Sequence, residues 1–127
     1  MSGVAIIHKL LTAAAPVPVA NIYSGFVPSG IKPAICVSQI SGVPRKTLAM
    51  TGRAFMVDRV QVTVYAATYA QAKSIIAACR VGLPVSHKTV GAFECEAVLP
   101  DTAGPDMYDE QTQLHEQSLD FMVEYQS

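Results

Sequence analysis

The side chains able to do chemistry in this chain are few: His8, His87 and His115, then Cys36, Cys79 and Cys95, and a run of acids at Asp101, Asp106, Asp109 and Glu110. Nucleophilic catalysis needs a serine or cysteine beside a base, and zinc needs Cys or His pairs at short spacing. Neither pattern occurs. The histidines fall in segments that read as a helix, a loop and a strand, and the cysteines have no CxxC spacing. Three is also an odd count for a disulfide framework, so all three are expected to be small buried residues. The acids lack the Asp-x-Asp-x-Asp-Gly order with a closing Glu, which predicts a solvated acidic loop and not a calcium loop. No glycine-rich phosphate loop is present. Arg45, Lys46 and Arg53 form a small cationic group; with few interleaved aromatics it suits a protein contact better than nucleic acid. No catalytic residue, cofactor or metal ligand is predicted.

The charge distribution says more than its sum. Net charge is −1 over 127 residues. Residues 1–93 hold all nine Lys and Arg and one acid, Asp58, a balance of +8; residues 94–127 hold the other nine acids and no Lys or Arg, a balance of −9. Two readings stand at this point. The halves neutralise one another within the fold, or the subunit has a basic and an acidic face suited to joining head to tail. In the second reading Arg45, Lys46 and Arg53 are the expected donors, and Asp106, Asp109 and Glu110 the expected acceptors.

Composition favours a covered surface. Charged residues are only 15% of the chain and hydrophobic ones 50%, where a soluble domain carries about 25% charged. A membrane is not the expected cover, because Val4–Ala20 is broken by His8, Lys9, Thr12, Pro16 and Pro18. Lys9 also spoils a signal peptide, so an intracellular product is expected.

The elements that must position these residues read as one domain over 1–127. Val4, Ile7, Leu10, Leu11 and Ala14 have helical spacing after a Ser2 cap, and Pro16 and Pro18 end the run. An extended piece at Val19–Tyr23 and a strand at Ala34–Ile40 follow, then a loop over Ser41–Gly52. Phe55–Ala66 alternates as a strand, with opposite parity at Phe55/Val57 and Val60 predicting a bulge near Asp58. Thr68 and Gln71 form a capping box for a helix placing Ala72, Ile75, Ile76 and Cys79 on one stripe, stopped by Gly82 and Pro84. Two strands close the domain. In Thr89–Leu99 the residues Phe93, Cys95, Ala97 and Leu99 face one way; in Leu114–Tyr125 the residues Leu119, Phe121, Val123 and Tyr125 do so. Pro100–Thr112 between them lacks apolar periodicity and is expected to need a partner for order. The fold class is α+β: a mainly antiparallel sheet with two helices packed on one face.

The stretch Arg59-Val-Gln-Val-Thr-Val-Tyr-Ala-Ala-Thr-Tyr-Ala-Gln-Ala-Lys-Ser-Ile-Ile-Ala-Ala-Cys-Arg80, a strand running into an alanine-rich capped helix, resembles the tail completion or tail terminator family of tailed bacteriophages. The likeness extends back through Ile22-Tyr23, Pro33 and Ala34–Ile40, and forward to Phe121-Met-Val-Glu-Tyr125. It lies in the order of elements, with Ser41–Arg53 longer than the usual connection. The resemblance implies a virion protein forming a ring of six that caps the tail tube, ends its growth and meets the head–tail connector. Its partners would be copies of itself, the tube protein and the neck protein, with DNA only passing through the lumen. A head-completion or connector ring, a small enzyme whose site assembles only in space, and a nucleic-acid-binding module are the alternatives.

Overall fold

A computed structural model describes residues 2–14, 21–28, 30, 32–45, 55–90 and 93–126, with backbone alone at 2, 43–45, 55 and 93. The chain runs α1 (Ser2–Ala14), β1 (Ile22–Ser24), β2 (Ala34–Arg45), β3 (Phe55–Ala66), α2 (Tyr69–Gly82), β4 (Val85–Val90), β5 (Phe93–Ala103), β6 (Met107–Asp109) and β7 (Leu114–Gln126). The sheet order is β1-β2-β3-β7-β5-β4, with β6 also on β7. Among the described residues only β1 pairs in parallel, with β2; the other pairings are antiparallel. Both helices contact β3 and β7 and each other. The α+β expectation holds.

One sheet face makes the core. Ile35 and Val37 of β2, Val60, Val62 and Val64 of β3, and Leu119 and Phe121 of β7 are fully buried, together with Ile6, Ile7 and Leu11 of α1. Each such side chain contributes about 1.5–3 kcal/mol through removal from water, so the helix-to-sheet layer carries the stability. Thr68 caps α2 by accepting from the Gln71 N–H at 3.1 Å. Ala72, Ile75 and Cys79 are buried, while Ile76 is partly so. Ala14 of α1 is exposed, and Ile6 takes the place in the core that its spacing did not predict. Cys36, Cys79 and Cys95 are free and buried as expected. Burial pushes the Cys79 thiol up to about 12, which makes it unreactive.

Several boundaries differ from expectation, each for a backbone reason. The Ala34–Ile40 strand continues to Arg45, because Ser41–Arg45 pair with Phe55–Arg59. The bulge expected near Asp58 belongs instead to the neighbouring strand, where register shifts between Gln39 and Ser41; β3 pairs with β7 without interruption. Alternation in β3 is broken in sequence because Asp58 occupies a core position, 1% exposed, and Val57 beside it is buried on the opposite face. The strand expected over Thr89–Leu99 is two strands, β4 and β5, paired as a hairpin. A register shift between Cys95 and Ala97 moves Val98 into the core and turns Leu99 outward. The acidic segment Pro100–Thr112 is not a free loop. Its start belongs to β5, and Met107–Asp109 pair with Leu114–Glu116 of β7. Backbone pairing supplies the order that apolar anchoring lacks.

Candidate assembly surface

Asp58 fixes one end of the molecule. Its Oδ2 accepts the Gly3 N–H at 3.1 Å and the Tyr125 hydroxyl at 2.9 Å. The Gly3 N–H is one of the first-turn donors a helix cannot satisfy itself, so β3 supplies the acceptor that seats α1 on the sheet. The approach is close: a Cβ on Gly3 would stand 2.6 Å from Oδ2, and one on Gly42 would stand 2.6 Å from Oδ1. Oδ1 itself is buried without a hydrogen-bond partner.

This end is also where the described part of β2 ends and β3 begins, since Arg45 pairs with Phe55, and Phe55 with Gln126. Arg45 ends β2, with only its backbone described; Lys46 and Arg53 lie outside the described residues. The predicted acceptors are at the other end. Asp109 pairs with Leu114 at the start of β7, beside Ala66 at the end of β3. Between the two ends lie the twelve residues of β3, about 36 Å at ~3.3 Å per residue. Arg45 therefore cannot neutralise the acids of its own subunit at that far end.

The three acceptors are not equivalent. Asp106 is spent within the subunit: it accepts from Gln117 Nε2 and from the Tyr69 hydroxyl at 2.9 Å, and pairs with Lys73 Nζ at 2.9 Å. The Gln117 amide, then Lys73 and Tyr69, pull its carboxyl down to about 2. Asp109 turns inward to its own turn, its Oδ1 accepting the Gln111 N–H at 2.9 Å. Glu110 is exposed. Lys73 Nζ also sits 5.3 Å from the centre of the Tyr69 ring, and His115 packs between Tyr69 and Tyr108.

The uncovered sheet face is polar. Arg59 Nη1 bridges Asp101 at 2.7 Å and Asp120 at 3.2 Å across it. With Lys73–Asp106, these pairs show that internal neutralisation between the two halves is real for Arg59 and Lys73. At the far end a groove of about 730 Å³ opens between the segment after β1 and the β6–β7 turn. Cys36 and Tyr65 lie on its sheet side, Phe26, Pro28 and Leu114 give it apolar walls, and Asp109 and Glu116 face it. Burial, reinforced by the Asp109 carboxylate, raises Glu116 above the ordinary glutamate range. Burial, then the Glu116 charge, likewise raises the Tyr65 phenol. Phe26, Tyr69, Met107 and Tyr108 are exposed large apolar side chains at this same end.

Sequence reasoning missed the groove and Glu116. The signal is present in the alternation of β7, where Glu116 shares a face with Ser118 and Asp120; which loops would wall that face is not readable from it. The histidines stay apart in local roles. His8 Nε2 lies 3.3 Å from the Ile22 carbonyl, and His87 Nδ1 lies 2.8 Å from Glu96. Among the described residues no group of three or more His, Cys, Asp or Glu side chains is placed to hold a metal, and no helix is long and apolar enough to cross a membrane.

Comparison with solved structures bears on this architecture. The chain shares its fold with a chain of a gene transfer agent particle. That chain belongs to the "virion of native gene transfer agent (GTA) particle", with a TM-score of 0.69 at 19% identity over 98% of this chain and 94% of that one. Neither a protein-family model nor a curated protein matches the sequence. The shared architecture spans both helices and the whole sheet, so it includes both ends of the molecule described above.

Proposed function

We propose that this chain is a structural protein of a phage-like virion: a tail terminator whose copies close into a ring, cap the tail tube, end its growth and join the tail to the neck. It works by geometry and not by catalysis, with DNA passing only through the lumen. The observation carrying the reading is that the two ends of one sheet differ. Arg45 ends β2 at the end that also holds Glu94 and Glu124, and Asp109 and the exposed Glu110 stand about 36 Å away at the other. Different patches on opposite ends make a heterologous contact, the kind that generates rings when the rotation closes. Similarity of fold to a chain of a gene transfer agent virion, over nearly all of both chains, supports the same reading.

Mass measurement and negative-stain imaging across salt concentrations test it. Rings or short stacked tubes are expected at low salt, with weakening above about 0.3 M as exposed pairs are screened. Added to a polymerising tail-tube protein, the chain should shorten the tubes. A monomer at every concentration and salt, leaving tube length unchanged, overturns the proposal.

A further inference from the structure

The groove at the far end opens on the uncovered sheet face, since its Cys36 and Tyr65 alternate with the core residues Ile35, Val37 and Val64. Phe26, Pro28 and Leu114 give it apolar walls, and Phe26 is 71% exposed. Asp109 and Glu116 face the same space, and among the described residues Lys32 at its rim pairs with neither. Asp109 accepts the N–H of its own turn, whereas Glu116 has no ion pair. Burial and then the Asp109 charge raise the proton affinity of Glu116. A cation brought beside the two carboxylates would relieve that repulsion. Such a cleft suits an apolar side chain with a cation next to it.

The outer side of α2 carries such a pair. Val81 is 82% exposed, the most of the described large apolar side chains, and Arg80 beside it is exposed and has no ion pair among the described residues. Lys9 and Lys88 are likewise free, but Lys9 stands between His8 and the buried Leu10, and Lys88 between His87 and Thr89. Val81 comes two residues after the buried Cys79, which at 3.6 residues per turn points it away from its own sheet. A subunit cannot seat this pair in its own groove, because α2 packs on the covered face and the groove opens on the other. Val81 also stands about 18 Å along the helix from Tyr69, the end of α2 nearest the groove. Glu94 and Glu124 do not compete for Arg80: they alternate with the core residues Cys95, Val123 and Tyr125, so they face away from α2, and neither is free. We propose that the groove between the β1–β2 segment and the β6–β7 turn receives Arg80 and Val81 of a second copy of this chain. Val81 then enters between Phe26, Pro28 and Leu114, and the guanidinium of Arg80 meets Glu116 and Asp109. This rests on the reading that copies join through different patches, and names the contact: the outer side of α2 on one subunit against the open sheet face of the next.

The test uses the full chain with photoreactive benzoylphenylalanine in place of Val81, an exposed position whose replacement leaves the core untouched. Isotopically heavy and light protein are mixed before irradiation. Heavy–light cross-links from position 81 to Phe26, Pro28 or Leu114 are the expected result. In parallel, Arg80→Gln and Glu116→Gln should each raise the concentration needed for assembly by on the order of fivefold. The double variant should do little more than either alone, because the two side chains are lost from one contact. Assembly with position 81 cross-linked elsewhere or only within its own chain, or two effects that multiply in full, overturns the groove contact and leaves the ring reading standing. An unmodified chain that stays monomeric overturns both.

Discussion

Asp58 and Asp106 each accept a tyrosine hydroxyl at 2.9 Å, one from Tyr125 and the other from Tyr69, yet they work in opposite surroundings. Asp58 is 1% exposed and seated between two glycines, with one oxygen occupied by Gly3 and Tyr125 and the other left without a partner. Asp106 lies in the open, its carboxylate shared among Gln117, Tyr69 and Lys73. The first ties a helix to the sheet where no water can substitute. The second gathers an exposed turn whose groups can be resolvated. Identical chemistry thus serves cohesion at one end of the molecule and surface shape at the other, because the cost of losing a hydrogen bond depends on what replaces it.

The sharpest way to break that contrast is to remove the buried carboxyl. Asp58→Ala orphans the Gly3 N–H in a dry site and takes the Asp58 acceptor from the Tyr125 hydroxyl, and should cost about 2–5 kcal/mol in chemical denaturation, from ~1–3 for an unsatisfied buried group together with the cavity left behind. Asp58→Asn retains an acceptor for both donors and should cost clearly less. Equal losses for the two substitutions would show that packing, not hydrogen bonding, seats α1 here.

A smaller effect is expected from crowding the same site without touching its donors. Gly42→Ala would put a methyl 2.6 Å from Asp58 Oδ1 and 2.9 Å from Gln39 Nε2. Gln39 is exposed and can swing away, but Asp58 is held, so about 1–3 kcal/mol should be lost. A neutral result, checked by the midpoint of urea unfolding, would mean that the bulged stretch of β2 after Gln39 shifts freely. The cradle would then be looser than its contacts imply.

Much of the cohesive end is legible in the amino-acid sequence. Val60, Val62 and Val64 mark the buried face of β3, and Thr68 with Gln71 marks the start of α2, because period and capping are local properties. Asp58 is visible there only as a broken alternation. A carboxyl in the core looks like a bulge until its distant partners, Gly3 and Tyr125, are known. The acidic end is less legible for a related reason. Pro100–Thr112 has no apolar periodicity, yet its middle is held by strand pairing to β7 and by polar donors from α2. Those contacts are long-range and leave no period in the sequence. The charge asymmetry is plain, but its meaning depends on topology. Arg59 and Lys73 neutralise acids of the same subunit, whereas Arg45 is separated from Asp109 by the length of the sheet.

The smallest expected effect concerns Asp106, and pH reads it out better than stability alone. Its carboxyl sits at about 2, below the ordinary 3.8. Lowering a carboxyl's folded-state pKa means that its contribution is complete above the unfolded value and fades as pH falls through the folded one. Loss should therefore begin below about pH 5 and continue toward pH 2. Glu116 acts in the opposite sense. Burial and then the Asp109 charge raise it above 4.5, so the folded form gains relative stability as pH falls through that raised value. Asp106→Asn removes the first dependence, leaves the second, and keeps an acceptor for Gln117, which bonds Oδ1, while the Tyr69 hydroxyl, which bonds Oδ2, must turn to accept from the new amide NH2. The variant and the parent should differ modestly in melting temperature near pH 6, because the pair with Lys73 is exposed and screened. Their curves should converge as pH falls toward 3. A constant offset across that range would mean that Asp106 contributes through shape and not charge, and the contrast with Asp58 would then be one of burial alone.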